Sequence, residues 1–471
     1  MQENNANRGD GLAGRRISSD PGEICPPAVP APALRLIDAI VLITGIVIGT
    51  GIFRTPSVVA ANTPNGFWFL SVWVLGGLVS LTGALCYSEL SSAFPSAGGD
   101  YHFLKTAFGK GFSFLFAWAR ITVIQTGSIA LLAYIAGDYM SQLLSLGEYS
   151  ASFYAVFVVV LLTQVNILEI QFGTGLQKLL AVLQFSGILI IIAVGLFVEP
   201  DIPATVSLDP VSFPDFQEFS LALIFVLLTF GGWNEVAYVS SELKAGSKKM
   251  VFVLVSGILI ITVIYLLVNT AFLNVLGLSG LAVSEAVGMD MMRATLGEKG
   301  VVLIGLLVTL SALTSLNTTI FTGSRSSYAL GKDFSPFTAL GKWNGKKSAP
   351  VNSLVLQAVI AVLLIIFGAF TRNGFESMVD FTAPVFWFFF LCTGIGLIVL
   401  RVKKPDVPRP FKVPLYPFIP LLFVAFCGYL LYSSLSYTGK GALLGAALLI
   451  IGFIFYFIFK NKIVARKDGQ A

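Results

Sequence analysis

Ile48-Gly49-Thr50-Gly51-Ile52-Phe53 lies in the middle of an apolar run that begins near Leu36 and ends near Ala61. At about 1.5 Å per helical residue, such a run crosses the roughly 30 Å hydrocarbon core of a bilayer. Two glycines flanking a threonine are poor helix formers, and inside a membrane the backbone they free must find partners in protein, cavity water or a ligand. An unwound turn here exposes amides and carbonyls at mid-membrane depth, the arrangement that ion and small-ligand sites use. Close packing of helices through the glycine pair is the alternative. A second run, from about Phe219 to Val239, is interrupted in a similar way by Phe230-Gly231-Gly232-Trp233-Asn234-Glu235.

The chain of 471 residues is 56% hydrophobic and only 12% charged, with a mean hydropathy of +0.84. That excludes an ordinary soluble protein, because the apolar residues fall into roughly twelve blocks of spanning length. They centre on 36–61, 67–92, 111–144, 151–168, 176–198, 217–241, 250–276, 300–330, 352–370, 377–400, 414–434 and 441–459. The expected class is an all-α polytopic membrane protein with 12 transmembrane helices. The 46 glycines suit closely packed membrane helices.

The net charge of +5 is no nucleic-acid signal, because the basic residues sort by loop. With the N-terminus inside, 24 of the 30 Lys and Arg fall on the cytoplasmic side. The loop from Glu199 to Glu218 holds five carboxylates and no basic residue. This asymmetry predicts an even number of spans with both termini cytoplasmic, in the cell's inner, cytoplasmic membrane. Residues 1–33, rich in Pro, Gly and charge, read as a flexible cytoplasmic tail, 401–413 as a basic linker and 461–471 as a second tail. Cys25, Cys86, Cys392 and Cys427 lack metal spacing and read as packing residues. With one histidine, His102, and no paired carboxylates within spans, the expectation is no enzyme, no metal and no cofactor.

Several polar residues sit inside apolar runs. Arg120, in the third run, needs a carboxylate or carbonyls, or lies close enough to the membrane surface to extend there. Glu235 reads as a proton acceptor, a counter-ion for Arg120, a substrate contact or the cap of a second half-helix. Gln184 could donate to a carbonyl of the first run, and Trp233 offers a movable aromatic wall. Thr314, Ser315, Asn317, Thr318 and Thr319 form a polar stripe that bonds the first run across a cavity or acts as glue between helices. The segment from Ala93 to Tyr101 reads as a short re-entrant or surface-lying piece, or as an ordered turn.

The two breaks lie five runs apart. Since five is odd, 34–198 and 217–400 would have opposite orientations, which is the inverted repeat of alternating-access transporters. Residues 414–460, the last two runs, are then an appendage.

Gly45 to Phe53, the Phe94-Pro95-x-x-Gly98-Gly99-Asp100-Tyr101 segment after Glu89, and Gly232-Trp233-Asn234 followed by Tyr238 and Ser241-Glu242-Leu243 resemble the amino acid-polyamine-organocation superfamily, most closely its L-type amino acid transporter branch. The resemblance covers about residues 34–460. It implies a LeuT-type 5+5 inverted repeat with broken first and sixth helices plus two extra C-terminal helices. The substrate carboxylate would meet the amides of Thr50, Gly51 and Ile52 and the Thr50 hydroxyl. Its ammonium would meet carbonyls of Val47, Ile48, Phe230 and Gly231. Trp233 would be a gate, and Gln125 and Asn317 would line the pocket. Where many relatives carry a lysine in the fifth run, this chain has Gln184, which cannot exchange a proton. Coupling to H+ or Na+ would then need Arg120, Glu235 or a sodium ion, and exchange against a counter-substrate would need neither. Arg54, where relatives carry small or apolar residues, would narrow the outer vestibule or attract acidic substrates. The expected activity is secondary transport of neutral L-amino acids as a permease or antiporter, with no obligatory glycoprotein subunit, because the loop Leu146 to Ser150 has no cysteine. A polyamine or cationic amino acid permease is the alternative, and an ion channel is the alternative from another class.

Overall fold

The computed structural model describes residues 47–96, 99–168, 174–198, 213–235, 249–344, 349–371, 374–437 and 439–465, with Leu36, Ile40, Ile43, Thr44 and Ala237. All the regular structure of the described residues is helical, with no strand and a single isolated bridge between Asn344 and Ala349. In chain order the helices are α1 (Thr55–Ala61), α2 (Gly66–Ala93), α3 (Gly99–Phe108), α4 (Lys110–Leu143), α5 (Ser150–Ile167), α6 (Thr174–Phe197) and α7 (Phe216–Thr229). They continue with α8 (Met250–Val283), α9 (Val287–Asp333), α10 (Val351–Thr371), α11 (Gly374–Lys403), α12 (Phe418–Tyr437) and α13 (Gly439–Ala465). Among the described residues nine helices are long and apolar enough to cross a membrane, and Val182–Phe197 and Leu443–Phe459 are shorter apolar helices. The chain is a multi-pass membrane protein.

Local sequence sets the helix ends. The Asn65 side chain caps α2 by accepting from the Trp68 amide at 3.0 Å, and Asp215 caps α7 through the Gln217 and Glu218 amides. The segment after α2 is a ten-residue helix, α3, packed against the start of α4. α4 is continuous, but Arg120–Ile124 is a π turn, a local widening that shifts the register of the polar residues following it. α8 and α9 each change direction at a glycine of left-handed φ, Gly277 at 65° and Gly297 at 66°.

α8 packs along α2, α1 and α6, while α4 runs between α5, α9 and α11. Close approach is bought with glycine. A Cβ at Gly137 of α4 would collide with the backbone carbonyl of Ala151 in α5, and one at Gly127 with the Thr382 methyl of α11. Large apolar side chains such as Leu78, Phe197, Val263 and Phe370 stay exposed around the bundle, as lipid contact requires.

One polar clamp sits at an end of the bundle. Glu89 of α2 is fully buried and receives Arg401 Nε at 2.7 Å and Nη2 at 2.5 Å, Arg409 Nε at 3.3 Å and the Val413 amide at 2.8 Å. The basic stretch expected as a linker, 401–413, is thus tied to α2 by its own arginines.

Candidate functional site

The first break is a bend at Ile48 and Gly49, followed by a 3-10 turn, Thr50–Phe53, and then α1. With Gly49 as the cap, the i to i−3 pattern of a 3-10 turn gives the Ile52 amide the Gly49 carbonyl, and the amides of Thr50 and Gly51 have no acceptor within the turn. The Thr50 side chain lies outside the described residues, so its hydroxyl has no assigned geometry.

The carbonyls just before the bend are already served. Val47 O accepts from the Gly49 amide at 2.7 Å and from the Tyr265 hydroxyl of α8 at 2.7 Å, and Ile48 O accepts from the Gln184 amide of α6. The two carbonyls expected to await an ammonium therefore hold neutral protein donors. Tyr265, fully buried, is also 3.0 Å from Thr229 O at the end of α7. One phenolic proton cannot satisfy both carbonyls at once. The two breaks touch directly as well. Thr55 Oγ1 and Thr229 Oγ1 are 2.6 Å apart, and a Cβ at Gly51 would come within 3.3 Å of the Thr229 side chain.

The second break begins where α7 stops at Thr229. The amides of Phe230 and Gly231 bond back to Val226 and Leu228, and Gly232 takes φ 102°, a left-handed conformation that glycine tolerates. Phe230 is fully buried with its ring edge-on to Tyr265 at 5.0 Å. A single turn, Trp233 to Glu235, follows, and the Glu235 amide bonds Gly232 O at 3.0 Å. The continuation into the expected second half-helix, with Tyr238 and Ser241-Glu242-Leu243, lies outside the described residues.

Trp233 is 3% exposed and packs edge-on against Tyr87 of α2 at 5.0 Å and Phe390 of α11 at 5.6 Å. Its six-membered ring lies over Gly83, where a Cβ would be 2.8 Å from both Trp233 and Phe423 of α12. Beside it Arg120 Nη2 bonds both carboxylate oxygens of Glu235, at 3.0 and 3.1 Å. Asn234 Nδ2 reaches Asp100 Oδ2 of α3 at 3.4 Å. Asp100 is buried, and loss of solvent pushes its carboxyl up to about 6 although Tyr87, Arg120 and Asn234 all oppose the rise.

On the other side of the first break Arg54 donates Nη1 to Ser284 O at 3.2 Å and lies 6.0 Å from the Phe375 ring centre of α11. Tyr139 of α4 donates to Phe53 O at 3.2 Å and accepts from the Gly288 amide at 3.3 Å.

Gln125 and Asn317 spend their amides between helices. Gln125 donates to Thr319 O of α9 at 2.8 Å, and Asn317 accepts from Asn166 of α5 at 2.7 Å. Among the described residues the stripe on α9 makes no bond to the first break. Thr314, Thr318 and Thr319 turn their hydroxyls back to Leu310, Thr314 and Ser315 of their own helix, which in an apolar medium satisfies a hydroxyl at no cost in helix contacts. Tyr265, Thr229, Thr55 and Asp100 join the site without being singled out in sequence. Tyr265 carried the one usable signal, a phenol in a nearly unbroken apolar run that had to find an acceptor. Among the described residues no three His, Cys, Asp or Glu side chains gather as metal ligands.

This geometry of two interrupted helices meets a consistent set of similarities. The family described as amino acid permease matches residues 34–459. The b(0,+)-type amino acid transporter 1 of Rattus norvegicus is 30% identical over 433 residues, covering 90% of this chain and 87% of its own. The Large neutral amino acids transporter small subunit 2 of Homo sapiens is 29% identical over 437 residues, covering 90% of this chain and 79% of its own. With the match spanning nearly the whole chain and both breaks, the protein belongs to the amino acid permease family.

Proposed function

We propose that the protein is a secondary transporter that carries neutral L-amino acids across the cytoplasmic membrane by alternating access. In this reading residues 34–198 and 217–400 are two inverted five-helix repeats of LeuT type, 12 spans cross the membrane, and both termini face the cytoplasm. The substrate carboxylate sits on the amides of Thr50, Gly51 and Ile52, and the ammonium competes for the carbonyls at Val47, Ile48, Phe230 and Gly231. The observation that carries the reading is the junction of the two breaks, Thr55 on Thr229 with Tyr265 placed between Val47 O and Thr229 O. It sets the N-terminal amides of the 3-10 turn on one side and the carbonyl end of α7, where Thr229 O shares one phenolic proton with Val47 O, on the other, which is the complement of a zwitterion.

Trp233, Arg120 and Glu235 close the site on the cytoplasmic side. A polyamine or cationic substrate would need an uncommitted carboxylate, whereas Glu235 is spent on Arg120. Gln184 does not titrate, which favours exchange over proton coupling. The chain works without a glycoprotein subunit.

The test is uptake of radiolabelled leucine by the purified chain alone in proteoliposomes, without sodium or a pH gradient. Strong stimulation by preloaded unlabelled leucine is expected. Uptake that appears only with an imposed proton or sodium gradient would replace the exchanger with a coupled symporter, and no saturable uptake of any amino acid would end the reading.

A further inference from the structure

We propose that Arg54 is a specificity-determining residue that admits amino acids with acidic side chains to the site, alongside neutral ones. This rests on the transporter reading above and adds a substrate class to it. Arg54 follows directly on the 3-10 turn, so about three residues at roughly 2 Å rise separate it from Gly51, within one arginine side chain's reach of a ligand on the turn. It lies on the side of the break away from the Glu235 cluster.

The guanidinium is held by neutral partners, a carbonyl (Ser284) and a ring face (Phe375). Among the described residues no carboxylate comes within ion-pair distance of it, although Asp138 and Glu285 belong to the same electrostatic neighbourhood. Its Nε is buried without an acceptor among the described residues. A guanidinium offers five N–H donors in a planar fork that fits a carboxylate with two parallel bonds. With one donor on a carbonyl and Nε unsatisfied, the guanidinium has N–H groups left for a carboxylate. Arg293, by contrast, is closed by Asp290 at 2.7 Å and Glu298 at 3.2 Å. A substrate anchored by its α-carboxylate on the turn can direct a second carboxylate, two methylenes further on, to Arg54. A cationic side chain there meets like charge.

The experiment is leucine counterflow with L-glutamate, L-glutamine and L-lysine as competitors, in the wild type and in Arg54→Gln and Arg54→Lys. Glutamate is expected to compete at least as well as glutamine in the wild type, and lysine poorly. In Arg54→Gln the glutamate-to-glutamine ratio of inhibitory concentrations should rise about tenfold, equivalent to about 1.4 kcal/mol. Arg54→Lys, which keeps the charge and loses the fork, should fall between. If the ratio does not move in Arg54→Gln while overall uptake drops, Arg54 is structural and the proposal is wrong. It is equally wrong if glutamate fails to compete in the wild type. Thermal stabilisation of the purified wild type by glutamate over glutamine reads the same preference without a variant. Absence of leucine counterflow in the wild type is a separate result that removes the transporter reading itself.

Discussion

The two helix breaks are held by different chemistry. At the first break the described side-chain bonds that hold the turn are neutral, Gln184 on Ile48 O, Tyr265 on Val47 O, Tyr139 on Phe53 O and Thr55 on Thr229, and the one cation beside it, Arg54, is bonded to a carbonyl. At the second, the turn is held by a guanidinium and two carboxylates, Arg120 on Glu235 and Asn234 on Asp100, around an aromatic plug. Neutral hydrogen bonds keep one geometry whatever the pH, while a charged cluster holds only in one protonation state. The first break is therefore a fixed receptor and the second a latch.

The largest test of that contrast is Glu235→Ala. It removes the carboxylate that Arg120, whose side chain is 8% exposed, bonds through Nη2. We expect a loss of about 3 kcal/mol, the lower end for breaking a buried pair because Glu235 is itself one-third exposed, read as a lowered thermal midpoint in detergent. Glu235→Gln, which can still accept from Arg120, should lose less.

Asp100 gives the second test, on pH. Its folded carboxyl is raised from 3.8 to about 6, so the folded state holds the proton more tightly than the unfolded state. Stability should then decline as pH rises from about 4 to 6, by on the order of 2–3 kcal/mol in total, and Asp100→Asn should flatten that slope. A slope that survives the substitution assigns it to another group.

Gln184→Ala comes next. It orphans the Ile48 carbonyl at a cost of about 1–3 kcal/mol, and leucine uptake by the variant should keep the wild-type pH profile between 5 and 8. A new pH dependence would break the contrast. Gln184→Lys, by design, should introduce one. The smallest effect belongs to Tyr265→Phe, about 1 kcal/mol in stability, with the Phe230 and Trp73 ring contacts retained. Here KM should fall several-fold, because the ammonium no longer competes with the phenol for Val47 O, while the thermal midpoint moves little.

Both breaks were legible in the sequence because Gly49-x-Gly51 and Gly231-Gly232 interrupt otherwise unbroken apolar runs. So was the need of Arg120 and Glu235 for partners, since an ion inside a span is costly alone. The partners of the first break were harder to see. Tyr265 is more than 200 residues from Val47 in the chain, and hydropathy periodicity carries no information about which helix faces which. The stripe at Thr314 to Thr319 left two roles open in sequence for a related reason: a hydroxyl in a membrane helix can always bond the carbonyl one turn back, so polarity alone does not say whether it points at a ligand. The π turn at Arg120–Ile124 changes which residues of α4 face α9 and α11, a rotation no 3.6-residue pattern predicts.

The glycine contacts of α4 bear on inherited variation. Gly137 abuts the backbone of Ala151, which has no rotamer to yield, and Gly127 abuts Thr382. Any change in the first or second base of a glycine codon that does not create a stop brings in a residue with a Cβ. At these two codons every missense allele should therefore separate α4 from α5 or from α11, and deep mutational libraries selected for function should contain only synonymous changes there.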